Sequence, residues 1–199
     1  VGSTEALHDY IANRPGEARP GSSGRVIPGY EARLVDDEGR PVAPGFAGQL
    51  LIKGDSTAAY YWNRHERTRA TMQGEWLRTG DMFYQDADGY FYFCGRGDDM
   101  LKVGGLWVSP VEIEACLGEH PAVLEAAVVG RGDADGLTKA HAYCVLRDGQ
   151  PGTDALVAEL QALVRKRLAG YKSPRWIDFV AELPKTTTGK IQRFALRRR

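Results

Sequence analysis

The sequence predicts an α+β fold in which an antiparallel, β-rich first half is followed by a small two-layer α+β second half. Alternating apolar residues separated by Gly and Asp turns fill the chain up to about residue 95, as in antiparallel strands. Helical and strand-like patterns then alternate from about residue 109 onward. Between them, residues 95–105 carry four glycines and four charged side chains, so this segment can bend.

The first half contains strand-like segments that end at turn-forming residues. Gly80-Asp81 is interpreted as such a strand end, and Asp86–Gly89 as a hairpin turn. A short helix is expected after Tyr60–Asn63, whose aromatic side chains are interpreted as core packing. The predicted strands are Tyr30–Val35, Gly48–Lys53, Trp76–Asp81, Met82–Gln85 and Tyr90–Cys94.

The second half begins with a helix start at Ser109-Pro110, since a capping serine and a proline at the first helical position favour that boundary. A second helix is predicted for Asp154–Leu168, where leucines recur at helical spacing. Pro184–Lys190 is expected to be an exposed turn. Three further segments are strand-like: Val123–Val129, Ala140–Leu146 and Trp176–Val180.

The composition is that of an ordinary globular protein, with 43% hydrophobic and 26% charged residues among 199. Cys94, Cys116 and Cys144 each have apolar neighbours, which predicts buried reduced thiols rather than a disulfide or metal site. There is neither an apolar run of membrane-spanning length nor a leader-like N-terminus. These features favour a cytoplasmic location and no membrane partner.

The charge is zero overall but unevenly distributed. Residues 165–199 contain eleven Lys and Arg against two acids, a net +9, and the rest of the chain is −9. Such a tail could contact nucleic acid, a polyphosphate ligand or only solvent. Its aromatic residues are not interleaved with its cations as a base-stacking surface would require, so nucleic acid is disfavoured.

Three short segments have the chemistry of a binding site. Gly2–Glu5 offers backbone amides, two hydroxyls and a carboxylate, which suit a phosphate with a divalent cation but could equally cap a helix. Asp81, beside a glycine, could accept hydrogen bonds from a diol such as ribose or simply form a turn. Residues 95–105 could bind a polar ligand or be a solvated linker.

The order of four segments resembles the adenylate-forming superfamily. These are Gly-Ser-Thr-Glu, Arg-Thr-Gly-Asp, Gly-Arg-Gly-Asp-Asp-Met-Leu-Lys-Val-Gly-Gly and Pro-Lys-Thr-Thr-Thr-Gly-Lys-Ile. Gly2–His8, Asn13–Gly16 and Gly105–Glu114 are most similar to benzoate-CoA ligases and related aryl-CoA ligases. The resemblance implies that 1–97 is the C-terminal end of the large AMP-binding lobe and 98–199 a small mobile lobe, with a hinge at Asp98.

That resemblance implies an ATP-dependent acid-thiol ligase that forms an acyl-adenylate and then an acyl-CoA thioester. ATP, coenzyme A, Mg²⁺ and an aromatic carboxylic acid are the expected ligands. One alternative is an adenylation domain that loads a carrier protein, for which a downstream carrier domain would be the discriminating feature. Another is a non-catalytic binding module, which should bind neither AMP nor coenzyme A.

For the first lobe, the resemblance implies five site residues. Thr4 would contact the α-phosphate and Glu5 would help to hold Mg²⁺. Asp81 would bind the ribose hydroxyls with the assistance of Arg96. His8 is expected to border the acid pocket.

For the second lobe, the resemblance implies two catalytic lysines and a path for coenzyme A. Lys190 would act in adenylation and Lys102 in thioester formation. Gly104-Gly105 would line the pantetheine path, because glycine permits close approach to the backbone. Trp107 and Lys172 would contact the nucleotide end of coenzyme A.

The sequence departs from the family pattern in two respects. Val1 occupies a position where many members have an aromatic residue, so adenine stacking would have to come from elsewhere. The upstream portion, with the phosphate-binding loop and most of the acid pocket, is absent from the 199 residues. The isolated chain is therefore expected not to form adenylate.

Overall fold

A computed structural model describes residues 1–198, which form two compact units. The first unit is Val1–Asp98 and the second begins at Asp99, so the division lies one residue after the predicted boundary. Each unit has a hydrophobic core of its own. The role of Asp98 as a pivot stays a prediction.

The N-terminal unit is built on a five-stranded antiparallel sheet and a two-stranded ribbon. Its elements are β1 Ile11–Ala12, β2 Arg25–Val26, β3 Tyr30–Val35, β4 Gly48–Gly54, α1 His65–Thr71, β5 Met72–Gln73, β6 Trp76–Gln85 and β7 Phe91–Arg96. In the sheet the order is β3-β4-β6-β5, with β7 paired to β6, while β1 pairs with β2 in the ribbon. Tyr10, Ile11, Leu50, Phe83 and Phe91 are among the fully buried core side chains of this unit.

Strand β6 is continuous through Gly80 and Asp81, so the predicted strand end at this point is wrong. Leu51 of β4 lies opposite Arg78 of β6, whereas Gln49 of β4 lies opposite Met82 of β6. One residue of β4 therefore faces three residues of β6, and these three form a bulge. Gly80 has a φ of +77°, which a glycine adopts without strain. A bulge reorients side chains without ending the strand, and here it sets the direction of Asp81.

The aromatic residues before α1 are not core residues, contrary to the prediction. Trp62 is 84% exposed and Tyr60 is 60% exposed. Helix α1 has no buried residue, so it offers no apolar face against which these rings could pack. The core is supplied by the sheet strands instead.

The C-terminal unit contains a three-stranded sheet with two helices on one face. Its elements are β8 Leu101–Val103, β9 Leu106–Val108, α2 Pro110–Gly118, β10 Val123–Gly132, β11 Thr138–Leu146, α3 Asp154–Arg167, β12 Trp176–Phe179 and α4 Arg193–Leu196. The sheet has the order β10-β11-β12, in which β11 and β12 are parallel. Helices α2 and α3 pack on it through apolar residues such as Ile113, Leu117 and Leu160. Ser109 caps α2 as predicted, since its hydroxyl accepts a hydrogen bond from the Glu112 amide.

The end of the glycine-rich segment is a hairpin rather than a linker. Strands β8 and β9 pair antiparallel, and Gly104 and Gly105 form their turn with φ values of +57° and +83°. Two glycines between short apolar runs are a hairpin signal that the sequence interpretation missed. Leu101, Val103 and Val108 are buried in the core of this unit, which fixes the hairpin to it.

The second face of the sheet β10-β11-β12 is covered by the C-terminal segment. Leu183 and Leu196 pack there against strand residues that include Val129 and Tyr143. Helix α4 was not predicted, because four residues are too few to show a helical period.

The three cysteines are buried, as predicted, and form no disulfide within the described residues. Within residues 1–198, no helix is both long enough and apolar enough to cross a membrane.

Candidate functional site

Glu5 is held in place by an aromatic side chain from a distant part of the N-terminal unit. Residues Thr4–Ala6 form a single 3-10 turn. Tyr61 Oη donates a hydrogen bond of 2.6 Å to Glu5 Oε1, and Arg67 Nη2 lies 3.9 Å from the same oxygen. The Tyr61 hydrogen bond is the main reason that the pKa of Glu5 is lowered from its ordinary value. Glu5 is therefore an ionised carboxylate, and Tyr61 and Arg67 both contact its Oε1 atom. Thr4 is exposed at the start of the turn.

Asp81 projects from the β6 bulge and is paired with an arginine. Arg96 Nη1 donates to Asp81 Oδ1 at 2.9 Å and to the Thr79 carbonyl at 3.2 Å. A side chain at Gly80 would begin 2.8 Å from Arg96 Nη2, so the glycine makes room for this pair. The Asp81 side chain is 18% exposed and the Arg96 side chain 54% exposed. The pair therefore offers both an acceptor and a donor at the surface of the unit.

The acids of the N-terminal unit influence one another electrostatically. Burial raises the pKa of Asp81, the positive charge of Arg96 opposes this, and the charges of Asp98 and Glu5 raise it further. Burial raises the pKa of Tyr10 to about 12, and the charge of Asp81 adds to the effect. The fold thus collects three of the predicted site acids around one region of this unit.

His8 is exposed and both of its ring nitrogens have partners. Nδ1 lies 2.7 Å from the Asp9 carbonyl oxygen, so this nitrogen carries a proton and donates. Nε2 lies 3.2 Å from Tyr30 Oη, and the two rings meet edge to face. These two contacts orient the imidazole ring.

In the C-terminal unit, Lys102 and Trp107 are cross-strand neighbours in the β8–β9 hairpin. The Lys102 ammonium lies 5.1 Å from the centre of the Trp107 ring, a cation–π contact. Both glycines of the turn are exposed, and a Cβ at either would meet no atom within 4 Å. Their backbone angles, rather than close packing, require glycine here.

Lys190 lies in an exposed turn, and its side chain is not paired with a carboxylate of residues 1–198. The turn is closed by hydrogen bonds between the backbones of Thr186 and Lys190 and from the Lys190 amide to Thr186 Oγ1. Within the described part of the chain, the Lys190 ammonium forms no hydrogen bond or ion pair. Lys185, five residues earlier, is instead paired with Glu125 at 2.7 Å. Lys190 is therefore the lysine of this segment that is available to a ligand.

Lys172 forms an ion pair inside the C-terminal unit. Its ammonium donates to both oxygens of Glu112 at 2.8 and 2.6 Å, and its side chain is only 19% exposed. This contact ties the 3-10 turn Gly170–Lys172 to the first turn of α2. A role for Lys172 in coenzyme A binding stays a prediction, and it would have to compete with Glu112.

The sequence interpretation missed the partners that hold the candidate residues. Tyr61 was assigned to an aromatic core cluster, and nothing in its local sequence points to a carboxylate 56 positions away. Glu112 enters the sequence analysis only within the segment Gly105–Glu114 that resembles aryl-CoA ligases. Residue pairs of this kind have no local signal, because they form between distant parts of the chain.

Two family models match the chain. That described as "AMP-binding enzyme" matches residues 1–62, and that described as "AMP-binding enzyme C-terminal domain" matches residues 112–190. They follow the order expected for the end of a large lobe and a small one.

Curated relatives match along nearly the whole chain. The benzoate–CoA ligase of Thauera aromatica is 52% identical over 198 residues, which are 99% of this chain and 38% of that protein. The 4-hydroxybenzoate–CoA/benzoate–CoA ligase of Rhodopseudomonas palustris is 48% identical over 200 residues, 99% of this chain and 37% of that protein. The chain thus spans little more than a third of the length of these relatives.

A solved structure gives the same result. The anthranilate CoA ligase AuaEII, crystallised with anthranoyl-AMP, superposes with a TM-score of 0.92 and is 53% identical. The match covers 99% of this chain and 38% of that one.

Proposed function

The chain belongs to the adenylate-forming AMP-binding enzymes, and from this premise we propose that it is the C-terminal portion of an ATP-dependent aryl carboxylate–CoA ligase. One observation carries the proposal. An ionised Glu5 held by Tyr61 and a half-buried Asp81 held by Arg96 occur in one unit, where they match the needs of a magnesium nucleotide. The similarity to ligases that act on aromatic acids supports the same conclusion.

The reaction has two steps. A carboxylate oxygen of the acid attacks the α-phosphorus of ATP, the bond to the β-phosphate breaks, and pyrophosphate leaves. The thiol sulfur of coenzyme A, having lost its proton, then attacks the acyl carbon, and AMP leaves with the electrons of the C–O bond. Negative charge develops on the reacting groups in both steps. Correct positioning of the reactants and nearby positive charge therefore supply most of the catalysis.

The N-terminal unit would bind the nucleotide. Asp81 would accept hydrogen bonds from the ribose hydroxyls, Arg96 would donate beside it, and Thr4 would contact the α-phosphate. Glu5 fits a magnesium ion, since it is an ionised carboxylate that Tyr61 holds in place. Magnesium in such sites is held by one or two carboxylates and substrate phosphates, and it would neutralise phosphate charge.

The C-terminal unit would deliver a different lysine for each step. Lys190 would stabilise the adenylation step, and its exposed turn suits approach to a charged substrate. After rotation of the small lobe about Asp98, Lys102 would act in thioester formation. Gly104-Gly105 would line the pantetheine path and Trp107 would contact the nucleotide of coenzyme A.

The acid is proposed to be an aromatic carboxylic acid of the benzoate type. His8 would border this acid, since Tyr30 and Asp9 hold its ring in place three residues after Glu5. The names of the similar ligases cover benzoate, hydroxybenzoate and anthranilate, which share a planar ring and a carboxylate.

A chimera tests the proposal. This chain would replace the matched segment of the Thauera aromatica benzoate–CoA ligase, and the product is called the Thauera chimera below. We expect it to release pyrophosphate from ATP and benzoate and to form benzoyl-CoA when coenzyme A is added, whereas the 199-residue chain alone should do neither.

Two outcomes would contradict the proposal. A folded Thauera chimera that releases no pyrophosphate would exclude an adenylating role. Adenylate formation without transfer to coenzyme A would favour a domain that loads a carrier protein. Titration of the chain itself with AMP gives an independent check, since a non-catalytic interaction module should not bind it.

A further inference from the structure

Four charged side chains of the C-terminal unit form one network, here called the Arg193 cluster. Arg193 contacts Glu114 through Nε at 3.2 Å and through Nη2 at 2.8 and 2.7 Å from the two carboxylate oxygens. Arg193 Nη1 lies 3.4 Å from Asp99 Oδ2. Arg197 Nη2 donates to Asp99 Oδ1 at 2.5 Å. Two acids and two arginines therefore balance one another.

The cluster is largely shielded from water. The side chains of Glu114, Arg193 and Asp99 are 13%, 16% and 19% exposed, and that of Arg197 is 35% exposed. Pairs in such an environment are weakly screened by salt, and removal of one partner leaves a charge that water cannot solvate fully. The planar guanidinium group of Arg193 has a fixed orientation relative to the Glu114 carboxylate, because several N–H contacts must form together. The cluster is thus a rigid junction.

The members of the cluster come from the segments that surround the candidate catalytic lysines. Asp99 is the first residue of the C-terminal unit and directly follows Asp98. Glu114 lies on α2, which follows the hairpin of Lys102. Glu114 Oε1 also accepts a hydrogen bond of 2.8 Å from the Val128 amide, which joins the junction to strand β10.

Arg193 connects this junction to the turn of Lys190. It begins α4 and lies three residues after Lys190 in the sequence. The intervening Gln192 amide donates to the Pro184 carbonyl at 2.8 Å, so the two ends of the Lys190 turn are tied together next to Arg193. A displacement of Arg193 would therefore move the base of that turn.

We propose that the Arg193 cluster is the anchor that makes the small lobe turn as one body about Asp98, and that Arg193 is a positioning residue for both lysines. This rests on the function proposed above. A rotation at Asp98 reaches the lysines only if the residue after the pivot is fixed to the segments that carry them. Asp99 provides that link, since it binds Arg193, and Arg193 binds the helix that follows the Lys102 hairpin.

The first experiment measures the two half-reactions of the Thauera chimera in single turnovers. Arg193→Ala is expected to slow both adenylate and thioester formation by about 10- to 100-fold, because misplacement of a catalytic group by about 1 Å has effects of that size. The KM values for ATP and benzoate should change less than about twofold, since these ligands are assigned to the other unit. Arg193→Lys keeps the positive charge but loses the paired N–H donors of the guanidinium group, so it should recover part of the rate lost in Arg193→Ala.

Arg167→Ala is the matched control. Arg167 forms an ion pair of 3.3 Å with Glu119 in the same unit, but both side chains are more than half exposed and neither belongs to the cluster. It should leave both rates unchanged. If Arg193→Ala lowers the melting temperature but leaves the rates of the folded protein unchanged, the cluster is only structural and the proposal is wrong. Should Arg193→Ala fail to fold, Glu114→Gln weakens the same junction while keeping an acceptor for the Val128 amide, and the same rates decide.

The second experiment does not depend on activity. Hydrogen exchange of backbone amides in the 199-residue chain should accelerate in Arg193→Ala at two places together, residues 99–103 and residues 185–191, and at neither place in Arg167→Ala. Acceleration at only one place would overturn the anchor. An inactive wild-type chimera would count against the proposed ligase function alone, whereas an active chimera with unaffected Arg193 variants would count against the anchor alone.

Discussion

The two units present opposite kinds of candidate residue. In the N-terminal unit these are mainly carboxylates in fixed positions, such as Asp81 paired with Arg96 and Glu5 bonded to Tyr61. In the C-terminal unit they are lysines on turns and hairpins, and Lys190 is exposed. The acids are held by residues from other strands and loops, whereas the Lys190 ammonium forms no hydrogen bond or ion pair within residues 1–198.

This difference indicates a division of labour between binding and delivery. A half-buried carboxylate with a fixed partner is already oriented, so it can bind a nucleotide with little further ordering. The exposed Lys190 side chain keeps its freedom until a phosphate or carboxylate arrives, and its positive charge can follow the charge that develops. We therefore expect substitutions of the two acids to change binding and substitutions of Lys190 and Lys102 to change rates.

The largest expected effect concerns the two lysines. In the Thauera chimera, Lys190→Ala should slow adenylate formation by about 100- to 1000-fold, the range seen when a group that stabilises transition-state charge is removed. Thioester formation from supplied benzoyl-adenylate should be spared. Lys102→Ala should do the reverse, with a loss of about tenfold or more in the second step. Single-turnover measurements of each step would show this.

Lys185→Ala is the control for Lys190, since Lys185 lies in the same segment but is paired with Glu125. Both half-reactions should keep their rates in this variant. Damage to the same half-reaction by Lys190→Ala and Lys102→Ala would remove the distinction between the two lysines, and with it the rotating-lobe interpretation.

An intermediate effect is expected at Asp81. Asp81→Asn keeps the shape of the side chain but replaces the charged carboxylate by an amide with a single acceptor oxygen. AMP should therefore bind the chimera about 10- to 100-fold more weakly, which is the size of effect expected when hydrogen bonds to a charged group are lost. Asp86→Asn changes a carboxylate in the turn between β6 and β7 that is paired with Arg19 at 2.6 Å. It should leave AMP affinity unchanged. An unaltered dissociation constant for AMP in Asp81→Asn would show that Asp81 does not bind the ribose.

The smallest effect is expected at Tyr61 and depends on pH. The pKa of Glu5 lies below its ordinary value of 4.5 mainly because Tyr61 donates to it. A lowered carboxyl pKa stabilises the fold above the unfolded pKa, and this contribution is lost as pH falls through the folded pKa. Tyr61→Phe should move the Glu5 pKa upward, so acid unfolding should begin at higher pH.

Tyr61→Phe should also raise the Mg²⁺ concentration needed for half-maximal adenylation by a few-fold, because the Glu5 carboxylate loses its orientation. Loss of one hydrogen bond typically costs about 0.5–1.5 kcal/mol. Melting curves against pH and a magnesium titration of the chimera would measure both effects. Tyr92→Phe, which removes a tyrosine–carboxylate bond to Asp86, should alter acid stability without altering the magnesium response. Equal magnesium responses in the two variants would argue against Glu5 as the metal-facing acid.

Much of the fold followed from local patterns. The strands Tyr30–Val35 and Gly48–Gly54 and the start of α2 at Ser109-Pro110 agree with the sequence interpretation, because alternation and capping act within a few residues. The errors came where a turn residue was ambiguous. Gly80 was interpreted as the end of a strand although β4 continues to pair beyond it, and that pairing partner is about 30 residues away.

The sequence by itself determined the fold class, the order of the motifs and the types of residue available for chemistry. Only the tertiary structure decided which of them are held in place and by what. Glu5 meets Tyr61 across 56 positions and Glu114 meets Arg193 across 79, and these pairs form because β-sheet pairing and core packing bring distant segments together. Periodicity and turn chemistry report on neighbours in sequence, so they cannot predict an ion pair that the whole fold creates.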